Sequence, residues 1–246
     1  MTQIDPDAGA YVFITGKQGS GKSVLSRRLF DSYPYDRLVI DPTGDVARDL
    51  AAEGVPTVRI EITEGMVPTR FPESHNEDRP YVTAVFVPDM GSPTAVDDMD
   101  RALGLALRKG RTCVWIDEIG RMTGTNSTPP ALRRALHHGR HSQMTLIMAG
   151  PRPVAIDPLV VSQANFVGVF ALPNPRDRDR VAAEIGWPPK AFAEAVHSLG
   201  LHEYLWYDAR EPNEETRSLG VLYHMPPLPP RRSSGKISPG MPAMMP

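Results

Sequence analysis

Eight consecutive residues, Gly16-Lys17-Gln18-Gly19-Ser20-Gly21-Lys22-Ser23, match the pattern G-x-x-x-x-G-K-[ST] in full. Glycines at these spacings let backbone N–H groups curl around phosphate oxygens, and a helix opening at the loop adds a dipole that favours a bound anion. Lys22 is placed to pair the β- and γ-phosphates of a nucleotide, and the Ser23 hydroxyl to hold Mg²⁺. About 95 residues downstream, the apolar run Cys113-Val114-Trp115-Ile116 delivers two adjacent acids, Asp117 and Glu118. Asp117 can hold Mg²⁺ through water, while Glu118 can polarise an attacking water. A pair of acids after a strand can also simply open a helix; the phosphate pattern upstream favours the catalytic reading. A third cluster, Arg133-Arg134-Ala135-Leu136-His137-His138-Gly139-Arg140-His141, is basic. On a helix Leu132 and Leu136 face inward, and Arg133, Arg134, His137 and His138 fall on the outer side. That face is either solvated or a site for a neighbour's nucleotide or nucleic-acid phosphates. Arg176-Asp177-Arg178-Asp179-Arg180 reads as a self-paired helix surface.

These groups need elements to hold them, and the chain alternates strand-like with helix-like segments. The strands are Tyr11–Thr15, Leu38–Asp41, Tyr81–Val87, Cys113–Ile116, Met144–Ala149 and Phe166–Phe170, with late candidates at Tyr204–Tyr207 and Leu219–Tyr223. Between them, helical spacing marks Lys22–Ser32, Val46–Glu53, Thr94 to about Arg108, a helix from Thr128-Pro129 to Gly139, Pro158–Ala164, and one from Asn174-Pro175 to Gly186. For the helix after Thr94 the expected core stripe is Val96, Met99, Leu103 and Leu107, opened by a capping box between Thr94 and Asp97. Continuous apolar strands indicate a sheet buried on both faces, so the expected fold class is α/β, a mostly parallel central sheet flanked by helices. Residues 61–80 show no period and read as an irregular connection.

Composition narrows the class further. The 246 residues, 41% of them hydrophobic and 23% charged, supply a sizeable core and argue against global disorder. Cys113 is the single cysteine, which excludes an internal disulfide and a cysteine-based zinc cage; in its apolar run it reads as a buried, inert thiol. No apolar stretch approaches 18 residues, so no membrane span is expected, and with no signal-peptide pattern the expected location is the cytoplasm, or a host cytoplasm or virion if the chain is viral. Seven of the 26 prolines fall between Pro226 and Pro246. The expected organisation is therefore a flexible lead-in at 1–8, one domain at 9–224 and a disordered Pro-rich tail at 225–246. A net charge of −2 does not advertise nucleic-acid binding, although a local basic stripe is enough for it.

Three segments resemble the FtsK/HerA group of DNA-pumping P-loop ATPases. Leu38-Val39-Ile40-Asp41-Pro42-Thr43-Gly44-Asp45 is similar to the strand end "D-P-x-G-[DE]" of that group. Asp117-Glu118 is similar to its Walker B. Gly139-Arg140-His141, leading into Leu146-Ile147-Met148-Ala149 and Arg152-Pro153, resembles its "G-R-x … L-I-L-A-T-Q-R-P". The resemblance covers roughly residues 10–185 and implies a RecA/ASCE-like core, ATP and Mg²⁺ as cofactors, a homo-oligomeric ring and double-stranded DNA as partner. It implies an arginine finger acting across a subunit interface, which maps to Arg140, with Arg133 and Arg134 as runners-up. The polar residue that ends the group's sensor strand falls at Pro151, so Gln143 or Gln163 is expected to substitute or sensing is weakened. A nearly bare motor domain resembles the packaging ATPases of membrane-containing viruses and transfer ATPases of mobile elements. Two other readings remain: a zonula-occludens-toxin-like phage assembly or secretion ATPase, and a P-loop small-molecule kinase.

Overall fold

The computed structural model describes residues 4–63, 68–74 and 80–210, and the backbone of 221–224. The expected tail at 225–246 lies outside the described residues. Of the lead-in, Asp7 is described: it accepts from the Arg111 guanidinium at 2.5 Å and from the Tyr35 hydroxyl at 3.0 Å.

Nine strands form one sheet in the order β3-β4-β2-β5-β6-β1-β7-β8-β9. They are β1 (Tyr11–Thr15), β2 (Asp36–Ile40), β3 (Val58–Arg59), β4 (Thr83–Phe86), β5 (Thr112–Ile116), β6 (Thr145–Gly150), β7 (Phe166–Val169), β8 (Glu203–Asp208) and β9 (Val221–His224). The first seven pair in parallel, and β8 and β9 add an antiparallel edge. The helices are α1 (Lys22–Asp31), α2 (Asp45–Ala52), α3 (Ala95–Lys109), α4 (Pro130–His138), α5 (Pro158–Ser162), α6 (Pro175–Ile185) and α7 (Pro189–His197). Among the described residues no helix is long and apolar enough to cross a membrane.

The apolar strands are buried on both faces, as their unbroken hydrophobic runs require. Tyr11 and Phe13 of β1 join one core with Leu38, Ile40, Val114 and Leu146, while Val12 and Ile14 join the other with Leu25, Phe30 and Trp115. Cys113 lies in that second core, wholly buried, and burial drives its thiol well above the ordinary range. It is therefore an inert packing group.

Four local expectations are corrected. On α3, Val96 is 38% exposed and Leu107 half-buried; the buried face is Met99, Ala102, Leu103 and Ala106, because the helix meets the sheet on a wider arc that takes in its alanines. No capping box forms there: the Thr94 hydroxyl donates to Asp98 at 2.8 Å instead. The Arg176–Arg180 run is not a self-paired surface. Asp177 and Arg178 are buried, Asp177 accepting from the Val154 N–H at 3.3 Å and Arg178 donating to the Leu172 and Pro173 carbonyls at 2.7 and 2.8 Å. Finally, α7 and the two-residue β3 are elements that the sequence pattern did not predict.

Candidate active site

The glycine-rich loop leaves the C-terminal end of β1 and enters α1, so its amides and the helix N-terminus share one concavity. Gly16 has φ +150°, and a Cβ there would stand 2.5 Å from the Phe170 Cβ; no larger residue fits without moving the chain just beyond β7. Gly19 and Gly21 have φ of +73° and +111°. The Lys17 N–H donates to the Ala171 carbonyl at 2.9 Å, which anchors the loop to the chain beyond β7. On the outer side, Nδ1 of His202 lies 3.1 Å from the Ser20 carbonyl. Among the described residues the N–H groups of Gly19 and Gly21 meet no protein acceptor, and the buried Ser20 hydroxyl has no partner. Lys22 turns its ammonium back onto the loop, donating to the carbonyls of Gly16 at 3.0 Å and Lys17 at 3.1 Å. Burial lowers the Lys22 pKa, and the nearby Glu118 and Asp117 carboxylates oppose that shift. Orphan amides, a caged ammonium and room for no side chain at Gly16 fit a polyphosphate.

The acids arrive from the next strand but one. In the order β5-β6-β1, one strand is inserted between the loop-bearing strand and the acid-bearing strand. The Asp117 N–H donates to the Ile40 carbonyl at 3.0 Å, fixing the end of β5 against β2. Burial first, then the Asp41 and Glu118 carboxylates, push the Asp117 carboxyl up to about 6, with Lys22 pulling the other way. Glu118 adopts φ +52°, ψ +54°, the left-handed region. For a residue with a Cβ that conformation costs roughly 1–3 kcal/mol and concentrates at functional sites. Gln18, Gly19, Lys22, Ser23, Asp117 and Glu118 all line one cleft of about 620 Å³ that opens between α1 and α2. The structure thus brings Gly16 to Ser23 together with both acids at the C-terminal edge of the sheet.

Arg140 is not among them. It sits in the 3₁₀ turn Gly139–Ser142 that links α4 to the N-terminal end of β6, and it is exposed. Its guanidinium lies over the Tyr11 ring, 5.4 Å from the centroid. Tyr11 is four residues before Thr15, so Arg140 and the loop stand at opposite sheet edges, at least about 13 Å apart by strand rise. Arg140 cannot reach its own chain's loop. The outward placing of Arg133, Arg134, His137 and His138 agrees with the sequence pattern.

Gln143 and Gln163 cannot replace the missing polar group of the β6 strand end. Gln143 precedes β6 and Gln163 precedes β7, so in a parallel sheet both lie at the edge away from the cleft. At the cleft edge β6 ends in Gly150, where a Cβ would meet Ile156 at 2.8 Å and Ile119 at 3.1 Å.

Asp100 and His202 escaped sequence reasoning, and Asp41, expected only as part of the Asp-Pro-Thr-Gly strand end, has a role that the resemblance did not specify. Asp41 is wholly buried and accepts four bonds: from the Thr43 N–H (3.2 Å), the Thr43 hydroxyl (3.0 Å), the Gly44 N–H (2.9 Å) and the Ala47 N–H (2.8 Å). Its Asp-Pro-Thr-Gly context is also an Asx-turn signal for that role. Asp100 of α3 caps α4 from outside, accepting from the Ala131 and Leu132 N–H groups at 2.9 and 3.0 Å. His202, which touches the loop from 182 residues away, carries no local signal.

No family model matches the chain, and no curated protein matches it in sequence. Solved structures do match in shape. The genome packaging NTPase B204 from Sulfolobus turreted icosahedral virus 2, in complex with ATP-gammaS, is 21% identical with a TM-score of 0.63, over 92% of this chain and 100% of that one. Its complex with AMP is 19% identical with a TM-score of 0.64 over the same shares. VirB4 of Thermoanaerobacter pseudethanolicus is 10% identical with a TM-score of 0.63, over 94% of this chain and 93% of that one. Strand order, glycine-rich loop and these likenesses agree that the chain has the fold of a P-loop NTPase with a RecA-like core.

Proposed function

We propose that this chain is an ATP-hydrolysing motor of the FtsK/HerA type that translocates or packages double-stranded DNA for a virus or mobile element. One observation carries the reading: Glu118, held in the left-handed region, stands beside Asp117 in the cleft that Lys22 and Ser23 line. An acid next to the cation-binding acid suits activation of water, rather than transfer to a small-molecule acceptor. Lys22 would meet the β/γ-phosphates and the loop amides of Gly16 to Ser23 would cradle them, while Ser23 and Asp117 would hold Mg²⁺, which would supply positive charge to the phosphate oxygens. Glu118 takes the proton of the attacking water. Arg140, out of reach of its own loop, serves the γ-phosphate of a neighbouring copy in a ring. The likeness in fold to a genome packaging NTPase and the outward basic face of α4 support DNA as the partner.

The deciding measurement is ATP turnover with and without duplex DNA. Wild type is expected to be stimulated. Lys22→Ala should lose nucleotide binding and turnover together, whereas Glu118→Gln should keep binding and lose turnover, because the near-isosteric amide cannot accept a proton. Turnover indifferent to DNA would return the reading to an assembly or secretion ATPase. Phosphate transfer to a small acceptor would return it to a kinase.

A further inference from the structure

Strand β1 carries the phosphate loop at its C-terminal end and, at its first residue, a seat for the turn that holds Arg140. The Tyr11 side chain is wholly buried. Its hydroxyl donates to the Ala135 carbonyl in α4 at 2.5 Å and accepts the Arg140 backbone N–H at 2.9 Å. The same ring lies under the Arg140 guanidinium. Gly139 completes the seat, since a Cβ there would come within 3.2 Å of the Tyr11 hydroxyl and 3.4 Å of the Met144 sulfur. Tyr11 is itself fixed. Its N–H donates to the Asn165 side chain at 2.9 Å, its carbonyl accepts from the Asn165 N–H at 2.8 Å, and it pairs with Leu146 across the sheet.

The hydroxyl is not needed to fill the core, because a phenyl ring occupies the same volume. The Ala135 carbonyl already accepts the helical bond from the Gly139 N–H. What depends on the hydroxyl is the Arg140 amide, for which Tyr11 is the acceptor among the described residues. Burial raises the Tyr11 pKa, although the Arg140 contacts oppose the shift, so the phenol stays a neutral donor and acceptor at working pH.

We propose that Tyr11 is a positioning residue for Arg140, orienting it towards a neighbouring copy's nucleotide and tying that orientation to the strand that ends in this chain's own phosphate loop. The inference rests on the reading of Arg140 as a finger acting between copies. A misplacement of about 1 Å costs up to about 100-fold in rate when the geometry belongs to the transition state alone. Tyr11→Phe should therefore lower DNA-stimulated kcat about 10- to 100-fold while the KM for ATP stays within about twofold, the signature of lost transition-state contact.

The experiment measures kcat and KM for Tyr11→Phe alone and mixed with excess Glu118→Gln. The Glu118→Gln subunits turn over nothing themselves but present an intact Tyr11 and Arg140. Turnover per Tyr11→Phe subunit should rise several-fold on mixing, a rescue that a merely destabilised fold cannot show. Wild-type kcat in Tyr11→Phe, or a loss that mixing leaves unchanged, would overturn the proposal. Arg140→Ala run beside it separates the two ideas. Full turnover in Arg140→Ala removes the finger reading itself, whereas an inactive Arg140→Ala beside a fully active Tyr11→Phe removes only the positioning role.

Discussion

Asp117 shows how one residue can be readable in the sequence and still be given its chemistry by the fold. Its place after an apolar strand marks it as an acid of interest, but its proton affinity comes from burial and from Asp41, which is 76 residues away in the chain. A carboxyl raised to about 6 when folded, against 3.8 as its ordinary value, stabilises the fold when protonated. That contribution is present at low pH and lost as pH rises through 6. Without nucleotide, Asp117→Asn should thus raise stability at pH 7 by about 2–3 kcal/mol, with the gain shrinking as pH falls through 6 and largely gone near pH 4. Denaturant titrations of the nucleotide-free protein at both pH values check this; an equal effect at both would mean the carboxylate is not strained by its surroundings. Under the proposed mechanism the same sign should weaken Mg²⁺-dependent nucleotide binding below about pH 6, where Asp117 would hold a proton instead of the cation. The loop of Gly16 to Ser23 was legible as a strand-to-helix turn because its glycines recur at a fixed spacing along one stretch of chain. Asp100 and His202 were not, because their partners belong to other elements, and no local period records such pairings; the bonds of Asp41 are local, but its effect on Asp117 is not.

Helices and strands of the central sheet were legible for a similar reason: long apolar runs and helical stripes are local properties. β1 occupies the expected residues, and Asn174 caps α6 through its side chain as its position before Pro175 suggests. What failed were details set by contact. Arg178 looks like a surface charge in sequence, yet the carbonyls of Leu172 and Pro173 draw it inward. α7 has a modest apolar face, Phe192 and Val196, that gains meaning only against Trp187 and β8. The turn between β2 and α2 is the element whose loss should be felt at the site. Asp41 satisfies the Gly44 and Ala47 amides and so starts α2. Asp41→Ala should destabilise the protein by about 2 kcal/mol, the scale of a lost buried cap, as read by thermal or chemical unfolding. Asp41→Asn should not restore it fully, since its NH₂ would face a backbone donor. Both variants remove a charge beside Asp117, so both should move the acid limb of Mg²⁺-dependent nucleotide binding to lower pH. An unmoved limb would show that burial alone sets the Asp117 value.

At the scale of the whole molecule, the sheet places the glycine-rich loop and Arg140 at opposite ends of its strands. The cradle, Asp117 and Glu118 occupy its C-terminal edge, and Arg140 the opposite edge, so under the proposed mechanism a single chain holds a binding site but only part of a catalytic one. Association then completes the site by mass action. Nucleotide affinity should stay constant as the protein is diluted, because the groups that hold the bound nucleotide before reaction come from one chain, while the neighbour's Arg140 acts on charge that develops in the transition state. Turnover per chain should fall steeply once dilution separates the copies, by about the 10³–10⁵ that an arginine finger contributes. Sedimentation across the same dilution series fixes where dissociation occurs, and duplex DNA, by gathering copies, should shift the loss to lower protein concentration. Arg140→Ala should lack the concentration dependence, remaining at the low rate of the separated chain throughout. A wild-type turnover per chain that is flat through the dissociation range would mean that one chain carries a complete site, and that Arg140 has some task other than its neighbour's phosphate.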